Sequence, residues 1–184
     1  MSKLIIVRHG QTNWDKENRI QGALDIPLNS EGKNEAQKVA EELSSSKINV
    51  VFSSPAACSL STANEIALHH NIKVRKTPEF NELDQGIWQG LLIKDVKKRY
   101  KKHYNSWKSS PAIIRPPRGE CAREAYDRAI SMMHKIVDKH KDESICVVSH
   151  DIILSLIKCY HGNIALEKMW RFMSNRIWWE ELDF

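Results

Sequence analysis

No Cys-x-x-Cys pair occurs in this sequence: Cys58, Cys121, Cys146 and Cys159 are scattered along 184 residues. Such a scatter offers neither a disulfide framework nor a redox pair, and it reads as reduced thiols in a cytoplasm. Long apolar runs are also missing, none approaching the roughly 20 residues of a membrane span. The opening MSKLIIVRHG lacks the apolar core of about 7–15 residues that a secretory signal carries. A soluble cytoplasmic protein is expected. No internal repeat is found, and no strong excess of one charge: 28 Lys and Arg face 23 Asp and Glu, for a formal charge of +5. That mild basic excess favours anionic ligands without requiring nucleic acid.

What is present is an alternation. LIIV (4–7), NVVFSS (49–54), IKVRK (72–76), SICVVSH (144–150) and RIWWEEL (176–182) are short β-branched or aromatic runs that read as strands. Between them, 30–46, 59–70, 94–104, 120–140 and 151–161 carry apolar residues at helical spacing. The pattern predicts an α/β fold, with a mostly parallel central sheet flanked by helices on both faces. Ser and Asn in NSEG and SPAACS are candidate helix caps, and Gly162 is a candidate helix stop. Pro111, Pro116 and Pro117 forbid a continuous helix over 104–119, the least regular segment. With 84–103 it reads as a small inserted cap (84–119) within one domain spanning 1–184. Length alone allows one such core.

Three strands end in polar residues: LIIV runs into Arg8-His9-Gly10, VVF into Ser53-Ser54-Pro55, and ICVV into Ser149-His150. In open α/β sheets ligands bind beyond the carboxyl ends of the strands, beside helix N-termini that attract anions. Parallel neighbours would bring Arg8, His9 and His150 to one rim, a cation cluster suited to a phosphoryl group. A neutral imidazole held at one nitrogen can attack phosphorus with the other, and Gly10 lets the backbone come close. Glu82, in NELDQGIWQG, is a candidate proton donor if its surroundings are dry enough to raise its pKa.

Taken in order, RHGQT, RIQG, DIPLNSEGKNEAQ, SSP, NELDQGIWQG, RGE and VSH resemble the histidine phosphatase superfamily, also called the phosphoglycerate mutase-like family. The α-ribazole and phosphoserine phosphatase branches are similar in length and in their compact cap. The resemblance implies a phosphohistidine on His9, phosphate clamped by Arg8 and His150, and Glu82 acting as acid and then base. It also implies a pocket loop carrying Arg19, Gln21 and Gly22. Neither metal nor cofactor is expected. The expected partner is a small phosphorylated metabolite, with a homodimer left open and neither membrane nor nucleic acid involved. Two rivals stand beside a phosphomonoester hydrolase: a phosphoglycerate mutase, and a weakened or non-catalytic phosphate-binding regulator.

The chain departs from that family on the phosphate side. Cys58 stands where members carry a phosphate-binding arginine, Asp15 where they carry asparagine, and Cys121 where many phosphatase members carry serine. An ionised Asp only accepts and would repel the phosphate that an Asn could serve as donor. Arg19, Arg115 and Arg118 are the basic side chains available to fill the gap at Cys58. The run KDVKKRYKKHY (94–104) reads as a solvated helix face whose cations draw anions toward the pocket, in the absence of any base-reading motif. Trp170, Trp178 and Trp179 read as core and sheet packing, and Trp88 and Trp107 as candidate pocket borders.

Overall fold

The protein is described from a computed structural model over residues 3–174 and 176–183. Strand β1 (Lys3–Arg8) owes its place to four consecutive buried apolar residues. Leu4 and Ile6 project into one hydrophobic cluster, Ile5 and Val7 into a second on the opposite face. A strand buried on both sides is what a continuous apolar run predicts, since neighbouring residues point to opposite faces. Strands β2 (Val50–Ser53), β3 (Val74–Lys76), β4 (Ser144–Ser149) and β5 (Trp179–Asp183) complete a sheet of order β3-β2-β4-β1-β5. All neighbours are parallel except β5, which runs antiparallel to β1 at the edge.

Helices α2 (Ser30–Leu43) and α3 (Ala57–His69) cover one face, where Val39, Leu43, Ala63 and Ile66 meet Ile5 and Val7. Helices α6 (Ala122–Lys139) and α7 (Asp151–His161) cover the other, burying Ala125, Ala129, Met133 and Ile136 at three- and four-residue spacing. Fully burying Met133 or Ile136 contributes about 1.5–3 kcal/mol each, and the small Ala125 and Ala129 correspondingly less. Asn29 caps α2 by accepting from Gly32 N at 2.8 Å. The short α1 (Asn13–Glu17) begins at Thr12, whose hydroxyl and backbone pair reciprocally with Asp15. Among the described residues no helix is long and apolar enough to cross a membrane.

The expected helix over 94–104 is divided at Tyr100 into α4 (Ile93–Arg99) and α5 (Lys101–Ser109). Helix α5 therefore extends into the stretch expected to be irregular, and ends just before Pro111. The buried Trp107 side chain holds that extra turn in place. Helix α3 has no serine cap. It starts behind Ala56, and its first amide, Ala57 N–H, donates at 2.6 Å to Asp25, a carboxylate from a distant loop. Gly162 does follow α7, with φ −85° rather than a left-handed turn.

Candidate active site

Register builds the site. Arg8 lies opposite Ser149 across the β1–β4 ladder, and His9 N donates to Ser149 O at 3.1 Å. His9 and His150 thus leave adjacent strands at one level, with ring centroids 4.9 Å apart and edge to face. Gly10 permits this turn: a Cβ there would lie 2.2 Å from Gly32 O in the first turn of α2. The His9 ring is buried, and its Nδ1 lies 2.7 Å from Gly10 O. A carbonyl only accepts, so Nδ1 carries the proton and Nε2 keeps its lone pair. Burial, reinforced by the Arg8 charge, pushes the His9 pKa down to about 3. His150 Nε2 sits 3.1 Å from Ser54 Oγ and 3.3 Å from Ser59 Oγ. Burial and the charges of His9 and Arg8 hold that imidazole well below its ordinary pKa as well.

Glu82 follows a single turn, Pro78–Phe80, pinned to the rim by Ser149 Oγ donating to Phe80 O at 2.7 Å and by Arg128 donating to Glu79 O at 2.5 Å. Its carboxylate accepts from Leu83 N at 2.8 Å and from Ile152 N, in the first turn of α7, at 3.0 Å. These bonds favour the charged form, yet burial dominates and pushes the carboxyl up to about 7.

Arg8 is where the geometry departs from expectation. Its guanidinium is buried between two carboxylates, with Nη2 2.7 Å from Asp15 and Nε 2.8 Å from Asp151. The Nε contact is an ion pair too poorly aligned to satisfy that N–H. A third nitrogen, Nη1, donates to His9 O at 3.2 Å. Two of the three guanidinium nitrogens, Nη1 and Nη2, thus donate within the protein, and Nε is ion-paired without a hydrogen bond. Asp15, expected to repel a phosphate, accepts from Arg8 with one oxygen and from Thr12 with the other. Asp151 was not anticipated; its only signal in the sequence is an acid placed directly after VSH, in the first turn of a helix.

Cys58, the second residue of α3, is fully buried against Leu28, Ala36 and Ala56. Gln21 Nε2 donates to its sulfur at 3.4 Å, and burial pushes the thiol up to about 11. No arginine fills the missing position. Arg19 is bound to Glu17 at 2.8 Å and to Gly90 O at 2.5 Å, while Arg115 and Arg118 line a different cleft. Gly22 has φ +57°, a left-handed conformation that favours glycine. Cys121 is the N-cap of α6, its amide donating to Glu124 at 2.8 Å.

A cavity of about 290 Å³ opens above these groups. Its outer wall is aromatic and cationic, with Trp14, Tyr104, Trp107, Trp170, Lys97 and Lys108. Trp170, expected as plain packing, borders the cavity, whereas Trp88, expected there, is fully buried in the core. Lys108 Nζ sits 3.5 Å over the Trp170 ring, and partial burial pushes its pKa down to about 8.

The chain is similar to known proteins over most of its length. Phosphoserine phosphatase 1 of Hydrogenobacter thermophilus is 33% identical over 172 residues, covering 94% of this chain and 82% of that protein. The metal-independent phosphoserine phosphatase of Arabidopsis thaliana is 32% identical over 160 residues, 85% of this chain and 67% of that one. Among solved structures, a mycobacterial glucosyl-3-phosphoglycerate phosphatase complexed with VO3 superposes with a TM-score of 0.91 at 21% identity, covering 98% of this chain and 90% of that one. Since the profile of the histidine phosphatase superfamily (branch 1) matches residues 4–184, nearly the full length, the chain belongs to that superfamily.

Proposed function

We propose that the protein is a metal-independent phosphomonoester hydrolase that acts on a small phosphorylated metabolite through a phosphohistidine on His9. The observation that carries this reading is the His9 ring itself: neutral at pH 7, fixed at Nδ1 by Gly10 O, with Nε2 unprotonated and close to His150. Nε2 attacks phosphorus, the ester P–O bond breaks, and the departing oxygen takes the Glu82 proton. Water then attacks the phosphohistidine, giving its proton to the Glu82 carboxylate and releasing inorganic phosphate and neutral His9. A carboxyl pushed up to about 7 suits both halves of this cycle near neutral pH. His150, fixed by Ser54 and Ser59, donates to the transferring group. Arg8 does so to the extent that its aspartates release it. Residues 1–184 act as one unit, with 84–119 as the cap over the cavity.

The outer wall supports a substrate class. Trp107 and Trp170 offer faces for a flat or apolar organic portion, and Lys97 and Lys108 favour a second anionic group on it. The pairing of Arg8 with Asp15 and Asp151 supports a second reading, a protein that binds phosphate weakly and turns it over slowly or not at all. Hydrolysis of p-nitrophenyl phosphate in EDTA, with an acid-labile phosphoenzyme on His9, is the expected result. No turnover on any ester tried leaves only the binder. Turnover of 3-phosphoglycerate that depends on 2,3-bisphosphoglycerate replaces the hydrolase by a mutase.

A further inference from the structure

Cys58 lies against more than apolar neighbours. Its sulfur and ring nitrogens of His9 and His150 all lie within 4.8 Å of one another, each on a buried residue. We propose that these three side chains form a binding site for a soft or borderline d-block cation, Zn2+ being the type, and that the cation shuts off the enzyme by occupying His9. The effect on activity rests on the hydrolase reading above. The binding does not.

The donor set fits. Zinc takes nitrogen at about 2.0–2.1 Å and sulfur at about 2.3 Å, so tetrahedral ligands stand roughly 3.3–3.6 Å apart. Closing from 4.8 Å at the widest requires side-chain movement on the order of an ångström. A histidine ligand commonly donates its other N–H to a backbone carbonyl, which fixes the ring. His9 has that support, with Nδ1–H on Gly10 O at 2.7 Å and Nε2 left over. His150 offers one ring nitrogen to the same cluster, and its Nε2 is oriented by Ser54 and Ser59. Ligation takes the neutral form of each imidazole. Cys58 binds as thiolate, giving one proton to solvent on capture of the metal, and Gln21 donates to the sulfur.

Local charge points the same way. An arginine at position 58 would repel a cation; a cysteine adds a negative ligand. The remaining guanidinium, Arg8, is matched by two carboxylates rather than one. Asp15 spends its oxygens on Arg8 and on Thr12, so neither is free to ligate. Three protein ligands then leave one position open to water or a small anion, the open coordination of reactive zinc sites. The cation and the phosphoryl group compete for the same Nε2.

Titration of EDTA-stripped, reduced protein with Co2+ tests the site. One equivalent should give the intense visible bands of four-coordinate cobalt and a near-ultraviolet thiolate charge-transfer band, and Zn2+ should displace it with release of one proton from Cys58. C58S should lose the charge-transfer band and weaken Zn2+ binding a hundredfold or more, and H150N should weaken it while keeping the band. Orthovanadate and Zn2+ should exclude one another in the wild-type protein. An unchanged cobalt spectrum in folded C58S, or C58A if the serine variant misfolds, overturns the site. So does a folded wild-type protein that takes up no stoichiometric Co2+ or Zn2+, for then Cys58 only packs. A protein that binds Zn2+ but never forms phosphohistidine refutes the hydrolase and leaves the metal site intact. One that hydrolyses esters undisturbed by Zn2+ does the reverse.

Discussion

The two sides of the pocket have diverged. On one, His9 and Glu82 are held by backbone groups alone, a carbonyl for the imidazole and two amides for the carboxylate, so their geometry depends on the strand ends and not on neighbouring side chains. On the other, the anion-facing groups are side chains that engage one another: Arg8 with Asp15 and Asp151, Cys58 with Gln21. The comparison teaches that one rim of the pocket is positioned by the backbone and the other by side-chain pairing, so substitutions can alter the second without moving the first.

Breaking the first side should have the largest effect. His9→Ala should lower turnover by three orders of magnitude or more and abolish the phosphoenzyme, as loss of a nucleophile does elsewhere; acid-quench labelling checks it. Next is Glu82→Gln, expected to cost about 10²–10⁴ with alkyl esters and far less with p-nitrophenyl phosphate, whose phenolate needs little help to leave. The high-pH limb of kcat/KM, set by loss of the Glu82 proton near pH 7, should vanish with it. Equal losses on both ester types would make Glu82 structural.

Repairing the second side should give gains of intermediate size. Cys58→Arg restores a charge-assisted contact worth roughly 1.5–3 kcal/mol, about ten- to a hundredfold in kcat/KM. The same change overpacks against Leu28 and Ala36, so the melting temperature should fall. Asp15→Asn should release Arg8 and lower KM several-fold. Both changes act on one anion, so the double variant should be non-additive. Steady-state kinetics on the three proteins decides this, and no gain from any of them means the clamp is already complete.

The smallest effect is on stability. Glu82 has a folded pKa near 7, above its ordinary value, so the folded state binds more protons than the unfolded one between about pH 4.5 and 7. Stability from this group is therefore present in acid and lost as pH rises through 7, by about 3 kcal/mol at most. Glu82→Gln removes the cost of the buried charge. It should raise the melting temperature by several degrees at pH 8 and little at pH 5; equal shifts at both would refute the assignment.

The sheet and the polar rim where Arg8, His9 and His150 meet were legible in the sequence because both are written locally. LIIV and ICVV are continuous apolar runs, and the polar residues that follow mark where each strand ends. The antiparallel direction of β5 was not legible, since RIWWEEL has the same composition either way. The extra turn of α5 was hidden by a serine-rich stretch that only burial of Trp107 makes helical. Asp151 and the cap of α3 were missed for a shared reason. Each depends on a partner far away in the chain, Arg8 for one and Asp25 for the other, and no spacing rule connects them.

Strand order has a consequence for the making of the protein. Lys3 in β1 pairs with Ser144 on one side and Asp183 on the other, so β1 finds its neighbours only after the long stretch between them has been made. Until then its edges stay open and its apolar run is exposed to aggregation. His9 and His150 come into contact only when that late pairing closes. A truncation anywhere between β1 and β4 therefore leaves β1 without its parallel partner and His9 without His150 beside it.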